Sequence, residues 1–128
     1  MMDLPDAPQT PEATLVTAIL MQAYRDLFLT VTDESGATFT SRSERDQAMT
    51  FLTERTGAMA RHRNALCSLI GWNGDVLATS VRAMMEGAPF PHPSLDPTPA
   101  TLKRHAVAVE RLRERWHALH APRPRAAA

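Results

Sequence analysis

LCSLIGWNGDVLATSVRAM, residues Leu66 to Met84, is the stretch on which the fold turns. An apolar run meets a Gly-Trp-Asn-Gly corner, and a second apolar-periodic run follows at once. Gly71 stands where a helix ending on Ile70 needs a left-handed residue to stop. Asn73 or Asp75 then offers a side-chain oxygen to the first free amides of a new helix. Two helices meeting at a tight corner are expected. The open question is whether the exposed face of the second one reads DNA or the corner is a bend between two core helices.

On the N-terminal side, Thr10-Pro11-Glu12 is a helix start: a hydroxyl cap, proline at the first helical position and an acid at the positive end of the dipole. The pairs Leu15/Val16, Ile19/Leu20, Ala23/Tyr24 and Leu27/Phe28 recur every four residues, giving a first helix with a broad apolar stripe. Val31 to Thr40 reads as a loop around Gly36. Ser41-Arg-Ser-Glu44 is a capping box for a second helix, with Ala48, Phe51 and Leu52 on one face and an end before Gly57. A third helix is expected from about Met59 to Ile70, with Met59, Leu66, Leu69 and Ile70 inward and Arg61, His62 and Arg63 outward. The fourth carries Val76, Leu77, Val81, Met84 and Met85 inward and stops at Gly87.

APFPHPSLDPTP, residues Ala88 to Pro99, is an extended connector, polyproline-like and laid on the surface. Thr98-Pro99 repeats the hydroxyl-proline start. Leu102, His105, Val109, Leu112, Trp116 and Leu119 then follow alternating spacings of three and four, a heptad seam. The expected fold is all-α: a bundle of four helices with a helix-turn-helix-like corner, a Pro-rich linker and a C-terminal amphipathic fifth helix. The expected divisions are a disordered leader over 1–10, a helical domain over 11–87, a linker over 88–98, a basic helix over 99–120 and a disordered tail over 121–128.

The 128 residues suffice for one domain, and 44% apolar with 22% charged residues suits a packed, water-facing bundle. A single cysteine, Cys67, rules out an intramolecular disulfide and suits a reducing cytoplasm. No run approaches the 18 apolar residues of a membrane span, and the acidic, Pro-rich start lacks the basic and apolar regions of a signal peptide. A cytoplasmic location without a membrane partner is expected.

Net charge is zero, yet unevenly spread. Residues 1–57 hold nine acids against four arginines; residues 99–128 hold seven bases against two acids. A basic end attracts nucleic acid, and an acidic head and basic tail attract each other.

The pattern Leu66-Cys67-x-Leu69-x-Gly71 and the corner after it resemble the helix-turn-helix superfamily, and also the short helical hairpins of small phage or prophage proteins. The resemblance spans about residues 61–86. It implies a DNA-associated protein, a transcriptional regulator or a DNA-packaging accessory, with double-stranded DNA as partner. In that reading Asn73, Thr79 and Arg82 approach the groove, and Arg61, Arg63, Lys103, Arg104 and Arg111 take phosphates. Asp75 and Glu86 on the same helix repel phosphate. The alternative is a non-enzymatic interaction module. Its seam of Leu102, His105, Val109, Leu112, Trp116 and Leu119 pairs with a protein partner or a second copy, and His105 marks the register. The plainer role of such a stripe is to dock on its own core.

No enzyme, cofactor or metal is expected. There is no Gly-rich phosphate loop, no GxSxG and no HExxH. Cys67 sits in an apolar run, as a core thiol does. Glu114, His117 and His120 share a helix face at a spacing of three, with solvated side chains as the default reading.

Overall fold

The computed structural model describes residues 10–28, 30–32, 38–40 and 42–121. Among the described residues five helices build the fold: α1 (Pro11–Asp26), α2 (Arg42–Thr53), α3 (Ala58–Leu69), α4 (Gly74–Met85) and α5 (Pro99–His120). The class is all-α, as expected. A two-stranded ribbon, β1 (Thr30–Thr32) and β2 (Thr38–Thr40), stands between α1 and α2 in place of a plain loop, with Val31 opposite Phe39. Its threonines, valine and phenylalanine favour strand backbone, but three residues are too few for an alternating pattern to be legible. The leader, the residues around Gly36, the Ser41 cap and the basic tail lie outside the described residues.

Local chemistry sets most helix ends. Thr10 Oγ1 accepts from Ala13 N at 3.1 Å, and Thr98 Oγ1 accepts from Thr101 N at 3.2 Å. Asn73, rather than Asp75, caps α4: its Oδ1 accepts from the amides of Asp75 and Val76. α3 ends in a Schellman motif, with Trp72 N donating to Cys67 O at 2.9 Å and Gly71 N to Ser68 O at 3.3 Å. Gly71 takes φ +75° to allow it. α4 closes in the same way at Gly87, where Ala88 N donates to Ala83 O at 2.9 Å.

α2 has no basic residue in its last turn and is closed from outside. Arg63 Nη1, on α3, donates to Phe51 O at 3.1 Å and Glu54 O at 2.6 Å. Arg82 Nε, on α4, donates to Thr53 O at 2.7 Å. This overturns the expected outward Arg63. The side chain is 0% exposed, and α3 buries Ala60, Arg63 and Cys67 while Met59 and Leu69 face solvent. The physical cause is the demand of two main-chain acceptors at the end of α2, Phe51 O and Glu54 O, which outweighs the apolar count along α3. Val76, expected inside, is 60% exposed, and the buried face of α4 runs through Leu77, Ala78, Val81, Met84 and Met85. On α1 the stripe is narrower than expected: Val16, Leu20, Tyr24 and Leu27 are buried, while Leu15 and Ile19 are exposed.

α1 packs on α2 and α3, α2 on α3 and α4, and α5 on α4. The core joins Leu20 and Leu27 with Met49, Leu52, Ile70, Val81, Met85 and Leu112. The fifth helix therefore returns to the body. Val109, Leu112 and Trp116, the middle of the heptad seam, are spent on this core. Polar latches fix them. Arg113 caps the end of α4 through Met84 O and Ala88 O, Arg115 pairs with Asp46 at 2.7 Å, and Trp116 Nε1 donates to Glu86 Oε1. As a continuous surface for a second chain the seam is thus broken; Leu102 and Leu119 stay half-exposed at its two ends. His105 serves the connector: its Nε2 lies 3.0 Å from Phe90 O and its ring packs against Phe28.

Candidate functional site: an apolar cavity beneath the connector

The fold scatters the expected groove-reading set. Arg82 points back to α2, its guanidinium also stacked over Trp116 at 5.3 Å. Arg63 is buried, and Asn73 is spent as a cap. Thr79 is exposed, with its hydroxyl donating to Asp75 O. The outward residues of α4 are Asp75, Val76, Thr79 and Ala83, with Glu86 at its C-cap; they include two acids and no cation. Arg61, Lys103, Arg104 and Arg111 are exposed, Arg61 on α3 and the others on α5.

The corner itself is built for close packing. A Cβ on Gly74 would lie 2.8 Å from Asn64 Cα, so α3 and α4 approach too closely there for any side chain. Asn64 accepts from Arg63 Nε and donates to Asp75, whose carboxylate lies 3.8 Å from Arg63 Nη2. Burial lowers the proton affinity of the Arg63 guanidinium, and the Asp75 charge acts in the opposite sense. The two glycines of Gly-Trp-Asn-Gly thus have different tasks: Gly71 supplies a left-handed backbone and Gly74 supplies room.

Next to this corner lies a cavity of about 300 Å³. α1 lends it Thr17, Leu20, Met21, Tyr24 and Arg25; α2 lends Leu52; the corner lends Ile70 and Trp72. α4 adds Leu77, Val81 and Met84, and the connector adds Pro91, His92, Pro93 and Leu95. The connector is held over α1 by the Tyr24 hydroxyl, which donates to Pro91 O. Phe90 tucks beneath, edge-on to Phe28 at 5.5 Å. Burial pushes the Tyr24 phenol well above its ordinary range. Leu95 is 82% exposed while lining the cavity, which places an uncovered apolar side chain at its mouth.

The lining is apolar apart from a few groups. The Thr17 hydroxyl donates to Ala13 O, and His92 Nδ1 accepts from Ser94 N. Trp72 Nε1 is shielded from solvent and has no hydrogen-bond partner among the described residues. Arg25 is exposed, and among the described residues no carboxylate lines the cavity. A concave apolar site with a small number of polar groups is the usual form of a ligand pocket, and this volume lies at the small end of that class.

No family model, curated protein or solved structure matches this chain.

Other candidate chemistry is committed elsewhere. The Cys67 thiol is fully buried, and burial raises its pKa, which keeps it in the unreactive protonated form. His120 lies against the Trp116 ring at 3.7 Å and bonds Trp116 O, while His117 faces Glu86 at 3.9 Å. No helix among the described residues is long and apolar enough to cross a membrane. The cavity residues escape a reading along the chain because no segment contains them: Tyr24 and Pro91 stand 67 positions apart. Trp72, a large aromatic inside a two-glycine corner, was the local signal that this corner has a neighbour to cover.

Proposed function

We propose that this chain is a non-enzymatic binding module that takes a small apolar group into the cavity between α1, α4 and the proline connector. The cavity carries the reading: about 300 Å³, lined by Leu20, Met21, Ile70, Leu77, Val81 and Met84, with an uncovered Leu95 at its mouth. Burial of apolar ligand surface supplies the driving force, at about 25 cal/mol per Å² before the entropic cost of association.

Two further observations support a binding module, the first over a DNA reader and the second over an enzyme. The outward face of α4 is acidic, and its single arginine is turned inward; affinity for DNA rests on cations that reach phosphates. Among the lining residues the titratable side chains are Tyr24, Arg25 and His92, and the Tyr24 hydroxyl is engaged with the connector. That set has no nucleophile paired with a base.

Tryptophan emission of the full chain, titrated with octan-1-ol, tests this. Trp72 lines the cavity, so a saturable change is expected. Thr17→Phe, which places a ring in the cavity from the half-buried face of α1, should abolish the change while leaving the fold intact. An emission change of equal size in wild type and Thr17→Phe would remove the cavity from the account.

A further inference from the structure

The cavity leaves a charge and hydrogen-bond imbalance that identifies its ligand more closely. We infer that the ligand is an amphiphilic carboxylate: an apolar body of roughly eight to ten carbons in the cavity, with its carboxylate paired to Arg25 at the mouth. This rests on the binding-module reading above and adds the chemistry of the head group.

Size comes first. An apolar cavity of about 150 Å³ accommodates benzene, so twice that volume suits a chain or ring system of about ten carbons. The walls Leu20, Met21, Leu77, Val81 and Met84 are aliphatic or thioether and offer no polar atom to the body.

Polarity comes second. The hydroxyls of Thr17 and Tyr24 donate to main-chain oxygens, and His92 Nδ1 accepts from an amide. Two donors are left over among the lining groups. Arg25 takes part in no ion pair among the described residues, and His92 Nε2 has no hydrogen bond among them while Nδ1 accepts. Donors of this kind pair with an acceptor and gain nothing from a further donor. The ligand head group that suits them therefore brings acceptors.

Charge comes third. Arg25 lines the cavity, and among the described residues no Asp or Glu does. An anion is favoured there and a cation is not. A planar carboxylate matches the two-pronged guanidinium, forming charge-assisted hydrogen bonds stronger than those to an alcohol.

Calorimetric titration of the full chain with octanoate and with octan-1-ol, both below any micellar concentration, tests the assignment. Octanoate should bind wild type, and Arg25→Gln should weaken it roughly tenfold while changing octan-1-ol affinity less than about twofold. Arg25 is exposed, so its replacement leaves the core untouched. Thr17→Phe should lose both ligands. If octan-1-ol binds but octanoate does not, or Arg25→Gln leaves octanoate affinity unchanged or weakens both ligands alike, the carboxylate assignment falls and the cavity reading stands. If neither ligand binds wild type, both fall.

Discussion

Arg82 Nε, on α4, lies 2.7 Å from Thr53 O at the end of α2, and Arg63 Nη1 from α3 reaches Glu54 O one residue on at 2.6 Å. Two helices thus close the C-terminus of a third, and the corner between them is locked in place. Arg63→Ala strips donors from buried carbonyls and leaves a hole, for an expected loss of about 3 kcal/mol. Arg63→Lys should recover less than half, because an ammonium lacks the planar fork. Denaturant unfolding measures both. A loss under about 1 kcal/mol for Arg63→Ala would mean that α2 is closed without it.

The two corner glycines should respond differently to one methyl group. At Gly74 a Cβ would stand 2.0 Å from Asn64 Oδ1 and 2.8 Å from the Asn64 main chain, so α3 and α4 must separate. At Gly71 the space is open and only the φ of +75° opposes a side chain. Gly74→Ala should cost about 2–3 kcal/mol, and Gly71→Ala about 1 kcal/mol. Thermal unfolding gives the order directly. Equal costs, or the reverse order, would contradict the close approach.

How much of this was legible in the sequence follows from the range of each interaction. Thr10-Pro11, Thr98-Pro99, Gly71 and Gly87 act within a few residues, and the helix ends they mark fall where expected. Arg63 reads as an outward charge along its own helix. It turns inward because the end of α2, some ten residues earlier, lacks a cap, and a helical pattern carries no trace of that need. The heptad seam of α5 is visible as a stripe. That its middle meets the protein's own core depends on the connector, which Tyr24 and His105 pin from two helices. The cavity is less legible still, since it exists only where α1, α4 and that connector converge.

The docking of α5 makes a plain claim about stability. Leu112 is fully buried. Leu112→Ala should cost about 3 kcal/mol, and Leu112→Asp should unfold the chain by burying an unpaired charge. Leu102→Asp, on the same expected seam but half-exposed, should change stability by less than about 0.5 kcal/mol. Circular dichroism with sedimentation separates the cases. A folded Leu112→Asp protein with an altered mass in solution would return the seam to association between chains.

Tyr24 should couple the connector to alkaline pH. Its phenol is buried and its pKa in the fold is raised above the ordinary 10.0. A raised phenol favours the fold fully below pH 10.0, because both states are then protonated and no ionisation is lost on folding. Above that value the unfolded chain gains from ionising, and stability falls with rising pH. Cys67, also raised by burial, acts in the same direction from an ordinary value of 9.0. Tyr24 is the single tyrosine of the chain, so tyrosinate absorbance reports it alone. The signal should appear together with unfolding, and Tyr24→Phe should flatten the loss of stability above pH 10. Tyrosinate formation near pH 10 in a folded protein would contradict the buried hydrogen bond to Pro91 O.

Methionine methyl resonances test the cavity most directly. Met21 and Met84 line it, while Met49, Met59 and Met85 do not. With the methionine methyl groups labelled by carbon-13 and octan-1-ol added in steps, the signals of Met21 and Met84 should move and saturate, and those of Met49, Met59 and Met85 should stay in place. Signals that all remain still, or all shift together without saturation, would contradict a binding site between α1, α4 and the connector.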